Sequence, residues 1–368
     1  MTPPNRPPES SLYDALRPHL ALDARRLTVL VALILAVLSQ RTCVLRRLVS
    51  HVALPGSRSS RAQRLKRFVQ FTFPQDLLAR LVLSVLPAGR LELILDRTCW
   101  HFGQTPLNIL MLSVGWQGFS LPLMWTVLEH TGNSNTLERT ALLKRFLAVH
   151  QSFASTHVLG GVLGDRAFIG KVWFKFLRRQ RIPICIRLKA NDHAGGRPVW
   201  KRCVHLQPGQ AWTYGVRVEV LGVKVQVVAT TTPTGERLFL ATEHPNARRA
   251  LEQYARRSGC ECLHQALKSR GFDLEDTHLT HPERLSTLLA VLALARVWCC
   301  LTGEAQHVEH PIPVLQHGRK AQSLFRCGLD QLQEALRPGN TPHLTRWLTL
   351  LCPLPLRPAA LLSQSLPF

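Results

Sequence analysis

Acidic side chains are scarce in this sequence. Among 368 residues there are 23 Asp+Glu against 46 Lys+Arg, a formal net charge of +23 at pH 7. That excess needs a polyanion: nucleic acid first, then an anionic membrane, then an acidic protein. Scarcity also makes each carboxylate on an apolar strand informative. Paired metal-binding cysteines are missing too. Ten cysteines occur, but none is spaced Cys-x-x-Cys; Cys260 and Cys262 are separated by one residue and Cys299 and Cys300 are adjacent. Neither spacing is that of a zinc finger, so the thiols are expected as small buried hydrophobes in a reducing cytoplasm. The longest apolar run, residues 27–38, has twelve members, short of the roughly 20 that span a bilayer. No small-residue cleavage site follows it, so it reads as a buried helix and no membrane partner is expected. Residues 164–171, GDRAFIGK, put five residues between the glycines where a phosphate loop has four, and Val172 replaces Ser or Thr. With no GxGxxG and no GxSxG either, no nucleotide cofactor and no serine nucleophile are expected. His278 and His281 stand beside Pro282 and read as a loop or helix start.

What is present is ample core material. The hydrophobic share is 46% and the charged share 19%, which excludes a disordered polycation. Residues 1–88 read as a helical, DNA-binding domain behind a Pro-rich start. They contain apolar blocks at 27–38, 44–52 and 77–86, a break at Pro55-Gly56, and the basic cluster SRSSRAQRLKR at 57–67. Ser59 or Ser60 is the expected N-cap of that last helix. Residues 1–90 carry 14 Lys+Arg and 4 Asp+Glu, a net +10. Arg61 and Arg64 fall on one helical face there and are candidate phosphate contacts; the plain alternative is a solvated stripe.

From residue 89 the texture changes. Strands are expected at 91–96, 107–115 and 121–129 as an antiparallel meander. A helix should follow at 136–150, capped by Asn135 or Thr136 with Glu138 in its first turn. A strand ending at Asp165, a helix at 169–180 and a strand at 182–188 complete the region 89–190. Residues 191–245 alternate with period two and read as a β insertion. Residues 246–310 return to helix at 246–270 and 282–301. Residues 311–368 are basic and Pro-punctuated, with one helix at 321–336.

Three carboxylates in this α/β layout could do chemistry. Asp96 is expected to end the first strand and Asp165 a later one; each is followed by Arg, with Trp100 or Phe168 close by. A turn or a helix cap is the plain reading of either alone. Glu261 lies in YARRSGCECLHQALK, read here as one helix. At about 100° per residue, Tyr254, Arg257, Glu261 and Lys268 share an arc of roughly 60°. Such a stripe is ordinarily a solvated face, but it is also what a phosphodiester site requires. Two Asp and one Glu are enough to hold two hard Mg²⁺ ions, with Mn²⁺ as a substitute.

The order strand-Asp, strand-Asp, helix-Glu resembles the RNase H-like DDE transposases. Tyr254-x2-Arg257-x3-Glu261-x6-Lys268 is similar to the Tyr-Arg-Glu-Lys signature of the bacterial insertion-sequence family numbered four. LDRTCWHFG, TGNSNTLER, DRAFIGKVWFKFL and HGRKAQSLFRCGLD resemble the same family, over roughly residues 88–335. The resemblance implies an RNase H-like mixed-sheet core with an inserted β subdomain, behind a helical N-terminal domain. It implies cut-and-paste transposition: hydrolysis at the element end, then attack by the freed 3′-OH. Asp96, Asp165 and Glu261 would be catalytic metal ligands, and Tyr254, Arg257 and Lys268 would contact DNA phosphates. Trp200 or Trp212 would hold a flipped base. Partners would be double-stranded DNA, as terminal inverted repeats and target, bound by a homodimer in a bacterial cytoplasm at the nucleoid. One departure stands out: Ala167 occupies the position where the family has Glu after Asp-Arg. It keeps two alternatives open, an RNase H-like nuclease without strand transfer and a non-catalytic DNA-binding descendant.

Overall fold

The computed structural model describes residues 6–232, 234–316 and 318–353. Five helices come first: α1 (Pro8–Leu16), α2 (Ala24–Gln40), α3 (Leu45–Leu48), α4 (Arg58–Val69) and α5 (Gln75–Val85). Strands β1 (Gly89–Phe102), β2 (Thr105–Trp116) and β3 (Phe119–Leu128) follow, then α6 (Thr136–His150), β4 (His157–Gly164), α7 (Lys171–Arg179) and β5 (Ile184–Arg187). Next come β6 (His193–Ala194), β7 (Arg197–Pro198), α8 (Val199–Arg202), β8 (Ala211–Thr213), β9 (Val218–Val220), β10 (Val223–Thr231) and β11 (Arg237–Thr242). The chain continues through α9 (Ala247–Ala255), α10 (Ser258–Leu267), α11 (Pro282–Glu309), α12 (Leu324–Ala335) and α13 (Thr341–Leu348).

The strands order as β3-β2-β1-β4-β5 and continue through β11 and β10. β1, β2 and β3 form an antiparallel meander, while β4 pairs parallel with β1 and β5 parallel with β4. This is an RNase H-like mixed sheet. β11 adds antiparallel to β5, so the inserted strands lengthen the core sheet. β1 is buried on both faces because both are covered: Leu91, Leu93 and Leu95 join the main core, while Ile94 packs with Leu163, Cys185 and Cys260 on the other side, between the buried Glu92 and Asp96.

The helices follow local signals. Asn135 caps α6 by accepting from the Glu138 amide, and the Glu138 carboxylate returns the bond to Asn135 N–H. For α4 the cap is Ser57, whose Oγ accepts from Ser60 N at 3.2 Å; Ser59 and Ser60 lie inside the first turn. Gly56, at φ 100°, turns the chain immediately before, which places the cap one residue after it. α11 is long and apolar enough to cross a membrane by length and composition, but its apolar window is 94% buried inside the protein. It packs on α2, α4, α5, α12 and β3. α11 and α12 cross where Gly303 faces the Leu324 carbonyl and Gly328 the Cys299 carbonyl, leaving no room for a methyl group. One apolar cluster runs from α1 to α13.

Candidate active site

The parallel pairing of β1 with β4 runs from Gly89 opposite His157 to Ile94 opposite Leu163. Asp96 stands two residues beyond that last pair, and Asp165 follows the last residue of β4. Both therefore emerge at the carboxyl edge of the parallel pair, where α/β sheets place their ligands. Asp96 does not end its strand, as the sequence led us to expect. β1 continues to Phe102 because its β2 pairing persists to the Phe102–Thr105 pair. Asp165 stands one residue past the end of β4, in a tight turn. Its Oδ1 accepts from Ala167 N at 2.8 Å, and its carbonyl accepts from Phe168 N at 3.0 Å. Ala167 thus contributes a backbone amide to the site. A cavity of about 380 Å³ opens here, lined by Asn133, Arg139, Asp165, Arg166, Ala167 and Lys189 among others.

Residues 246–270, expected as one helix, form two. Arg256 and Arg257 keep helical dihedrals but lie between α9 and α10. Arg257 N bonds Tyr254 O at 3.0 Å and Cys260 N bonds Arg257 O at 3.0 Å, the tighter i→i+3 pattern. The cause is contact with β3. A methyl at Gly259 would come within 3.0 Å of the Phe119 carbonyl carbon, and Ser120 Oγ donates to Gly259 O at 2.9 Å. Beneath the junction, the buried Glu92 accepts from Gln253 Nε2 at 3.2 Å and pairs with Arg256 at 3.4 Å. Lys268 lies just past the end of α10 and leaves the stripe. Its Nζ donates to Cys99 O at 3.1 Å, pairs with Glu275 at 2.9 Å and sits 5.1 Å from the Trp100 ring centre.

The three carboxylates meet at Arg257. Its Nη2 is 3.6 Å from Asp96 Oδ1 and 3.9 Å from Asp165 Oδ2, and its Nη1 is 3.2 Å from Glu261 Oε1. Burial opposes the guanidinium charge, but Asp96, Tyr254 and Asp165 outweigh it and hold the arginine above its ordinary pKa. Burial likewise opposes ionisation of Asp96. The hydrogen bond and charge of His264, with Arg257, overcome it and hold the carboxyl below its usual range. Tyr254 is pushed up to about 12, chiefly by burial, so its hydroxyl stays a neutral donor. Glu261 is the accessible member, its side chain 63% exposed against 10% for Asp96.

Two neighbours were missed in the sequence. His264 Nε2 lies 3.4 Å from Asp96 Oδ2 and 3.4 Å from Cys260 Sγ. Their signal was the i, i+4 spacing that flanks Glu261 on one helix. The donor set of Asp96, Asp165 and Glu261 is all oxygen and converges on a positive centre, as a hard divalent cation requires. Among the described residues, the group whose ligand atoms all lie within 4.8 Å of one another is a different one, Asp96 with Cys260 and His264.

The other candidates lie elsewhere. Trp212, on β8, packs edge-on to Tyr214 with ring centres 5.6 Å apart. It lines a cavity of about 620 Å³ with Arg197, Lys201 and Arg202. Trp200 is partly exposed, with Lys201 Nζ 5.6 Å from its ring centre. On α4, Arg64 is exposed and Arg61 half-buried.

The transposase DDE domain family is matched over residues 87–298. No curated protein matches. Among solved structures, the chain is similar to a piggyBac transposase in a synaptic complex with hairpin DNA. The identity is 11%, the coverage 94% of this chain and 82% of that one, and the TM-score 0.43. The family match takes in β1, the Asp165 turn, α10 and most of α11, more than half of the residues, and the chain belongs to the transposase DDE domain family.

Proposed function

We propose that the chain is a cut-and-paste DNA transposase with Asp96, Asp165 and Glu261 as its catalytic carboxylates. The observation that carries this reading is their convergence on one guanidinium from β1, the end of β4 and α10. Unaided, phosphodiester hydrolysis is extremely slow, and catalysts of such reactions lower the barrier by on the order of 20 kcal/mol. Divalent cations held by these carboxylates, two Mg²⁺ with Mn²⁺ as a substitute, would neutralise phosphate charge and lower the pKa of the attacking oxygen. The chain's own residues do the rest. Asp96, buried on a strand paired on both sides, supplies the fixed ligand. Asp165 is held by the Ala167 amide, so its turn needs no side chain at position 167. Glu261, exposed on α10, completes the set from above. Arg257 then turns its fork to phosphate, a bidentate task for which guanidinium is well shaped. Tyr254 offers a neutral hydroxyl, and Lys268 a further charge. Water first attacks the phosphodiester at the element end and the freed 3′-OH attacks a second phosphodiester. The excess of +23 suits a homodimer that holds two element ends and a target. The Trp212 cavity, basic and aromatic, suits an unstacked base better than Trp200 does.

The test is incubation of the protein with Mg²⁺, target DNA and duplexes that carry the repeats flanking its gene. Cleaved ends and joined product are expected. Cleavage without joining, even from a precut end, identifies a nuclease instead. Binding without cleavage identifies a non-catalytic descendant.

A further inference from the structure

Cys260 and His264 are not among the three carboxylates, yet both sit against Asp96. Cys260 Sγ is 3.4 Å from His264 Nε2, which is 3.4 Å from Asp96 Oδ2. All three ligand atoms lie within 4.8 Å of one another. In a tetrahedral zinc site, with Zn–S about 2.3 Å and Zn–N or Zn–O about 2.0–2.1 Å, neighbouring ligand atoms stand about 3.3–3.6 Å apart. Two of the three edges already have that length. The donor set of sulfur, imidazole and carboxylate is typical of zinc and wrong for Mg²⁺, which demands oxygen.

The frame is also prepared. Cys260 is fully buried, and the His264 side chain is 11% exposed. The two are one turn apart on α10, which Gly259 and Ser120 lock against β3. Asp96 divides its oxygens, Oδ1 toward Arg257 and Oδ2 toward His264. A soft cation would therefore take Asp96 from the side away from Arg257. Three protein ligands leave a fourth position open.

We propose that Asp96, Cys260 and His264 form a second cation site, selective for thiophilic divalent metals such as Zn²⁺, whose occupancy withdraws Asp96 from catalysis. Binding forms the sulfur–metal bond and sends the thiol proton to solvent. The effect on catalysis rests on the transposase reading; the binding does not.

The test is titration of the full-length, chelator-treated protein with Co²⁺ alone. A thiolate-to-cobalt charge-transfer band should appear and be bleached by Zn²⁺. Cys260→Ser should abolish it and His264→Asn weaken it, while Cys99→Ser and Cys262→Ser, at exposed thiols, should retain it. Circular dichroism of each variant checks that it is folded. In Mg²⁺-supported cleavage, Zn²⁺ should inhibit the wild type, and Cys260→Ser should need about tenfold more Zn²⁺ or higher for the same inhibition. No thiolate band in the wild type, or a band that survives Cys260→Ser, overturns the site. Equal zinc sensitivity of wild type and Cys260→Ser overturns its effect on catalysis. The predicted band with no cleavage under any metal leaves the site standing and removes the transposase reading.

Discussion

At Arg257 burial and charge pull in opposite directions, and charge wins because Asp96, Tyr254 and Asp165 face its guanidinium. Without that cation, the buried Asp96 carboxylate would lose one of the charge partners that offset its desolvation. Arg257→Ala should therefore destabilise the protein by about 1–3 kcal/mol in chelator. Added Mg²⁺ should recover part of the loss. Thermal unfolding with and without Mg²⁺ measures both, and a loss unchanged by Mg²⁺ would separate the carboxylates from metal binding. The residues of this cluster were partly legible in the sequence. Acid scarcity made Asp96, Asp165 and Glu261 conspicuous, and the helical spacing drew in Tyr254 and Arg257. Cys260 and His264 were legible only as an i, i+4 pair on one helix. The Asp that completes the group lies on a distant strand, and only the fold brings it to them. The role of Ala167 was also hidden. Its amide is used and its side chain is not, and the choice depends on whether the chain turns after Gly164.

The elements around the site were read with mixed success, for identifiable reasons. Asn135 and Glu138 cap α6 through a local pairing, so residues 136–150 were readable. β1 overran its expected end at Asp96 because its β2 pairing is a long-range contact. The junction of α9 and α10 is likewise set from outside, by the backbone of β3 against Gly259. That contact yields a prediction. In an isolated helix, Gly259→Ala would gain about 1 kcal/mol. Here the methyl meets Phe119 and Ser120 backbone atoms at 3.0–3.2 Å, and overpacking costs about 1–3 kcal/mol. The net loss should be small and the displacement of α10 real, so cleavage should fall more than melting temperature does. Unchanged activity in a folded Gly259→Ala would show that α10 tolerates the shift.

On the scale of the whole molecule, the charge of +23 is a statement about DNA. Each phosphate contact contributes roughly 0.9 to the slope of log K against log salt. If Arg61 and Arg64 on α4 are such contacts, replacing both with Gln should lower the slope by about 2 and weaken binding to all sequences alike. Fluorescence anisotropy across a salt series measures it, and an unchanged slope moves the DNA path to another face. The central claim is that Asp96, Asp165 and Glu261 act as one unit on a phosphodiester. The most direct measurement is Mg²⁺-dependent cleavage of end-containing DNA by Asp96→Asn, Asp165→Asn, Glu261→Gln and their combinations. Each single variant should lose about 10³-fold or more, and the combinations should be little worse. Cleavage near the wild-type rate by any single variant, with folding and DNA binding intact, would contradict the account.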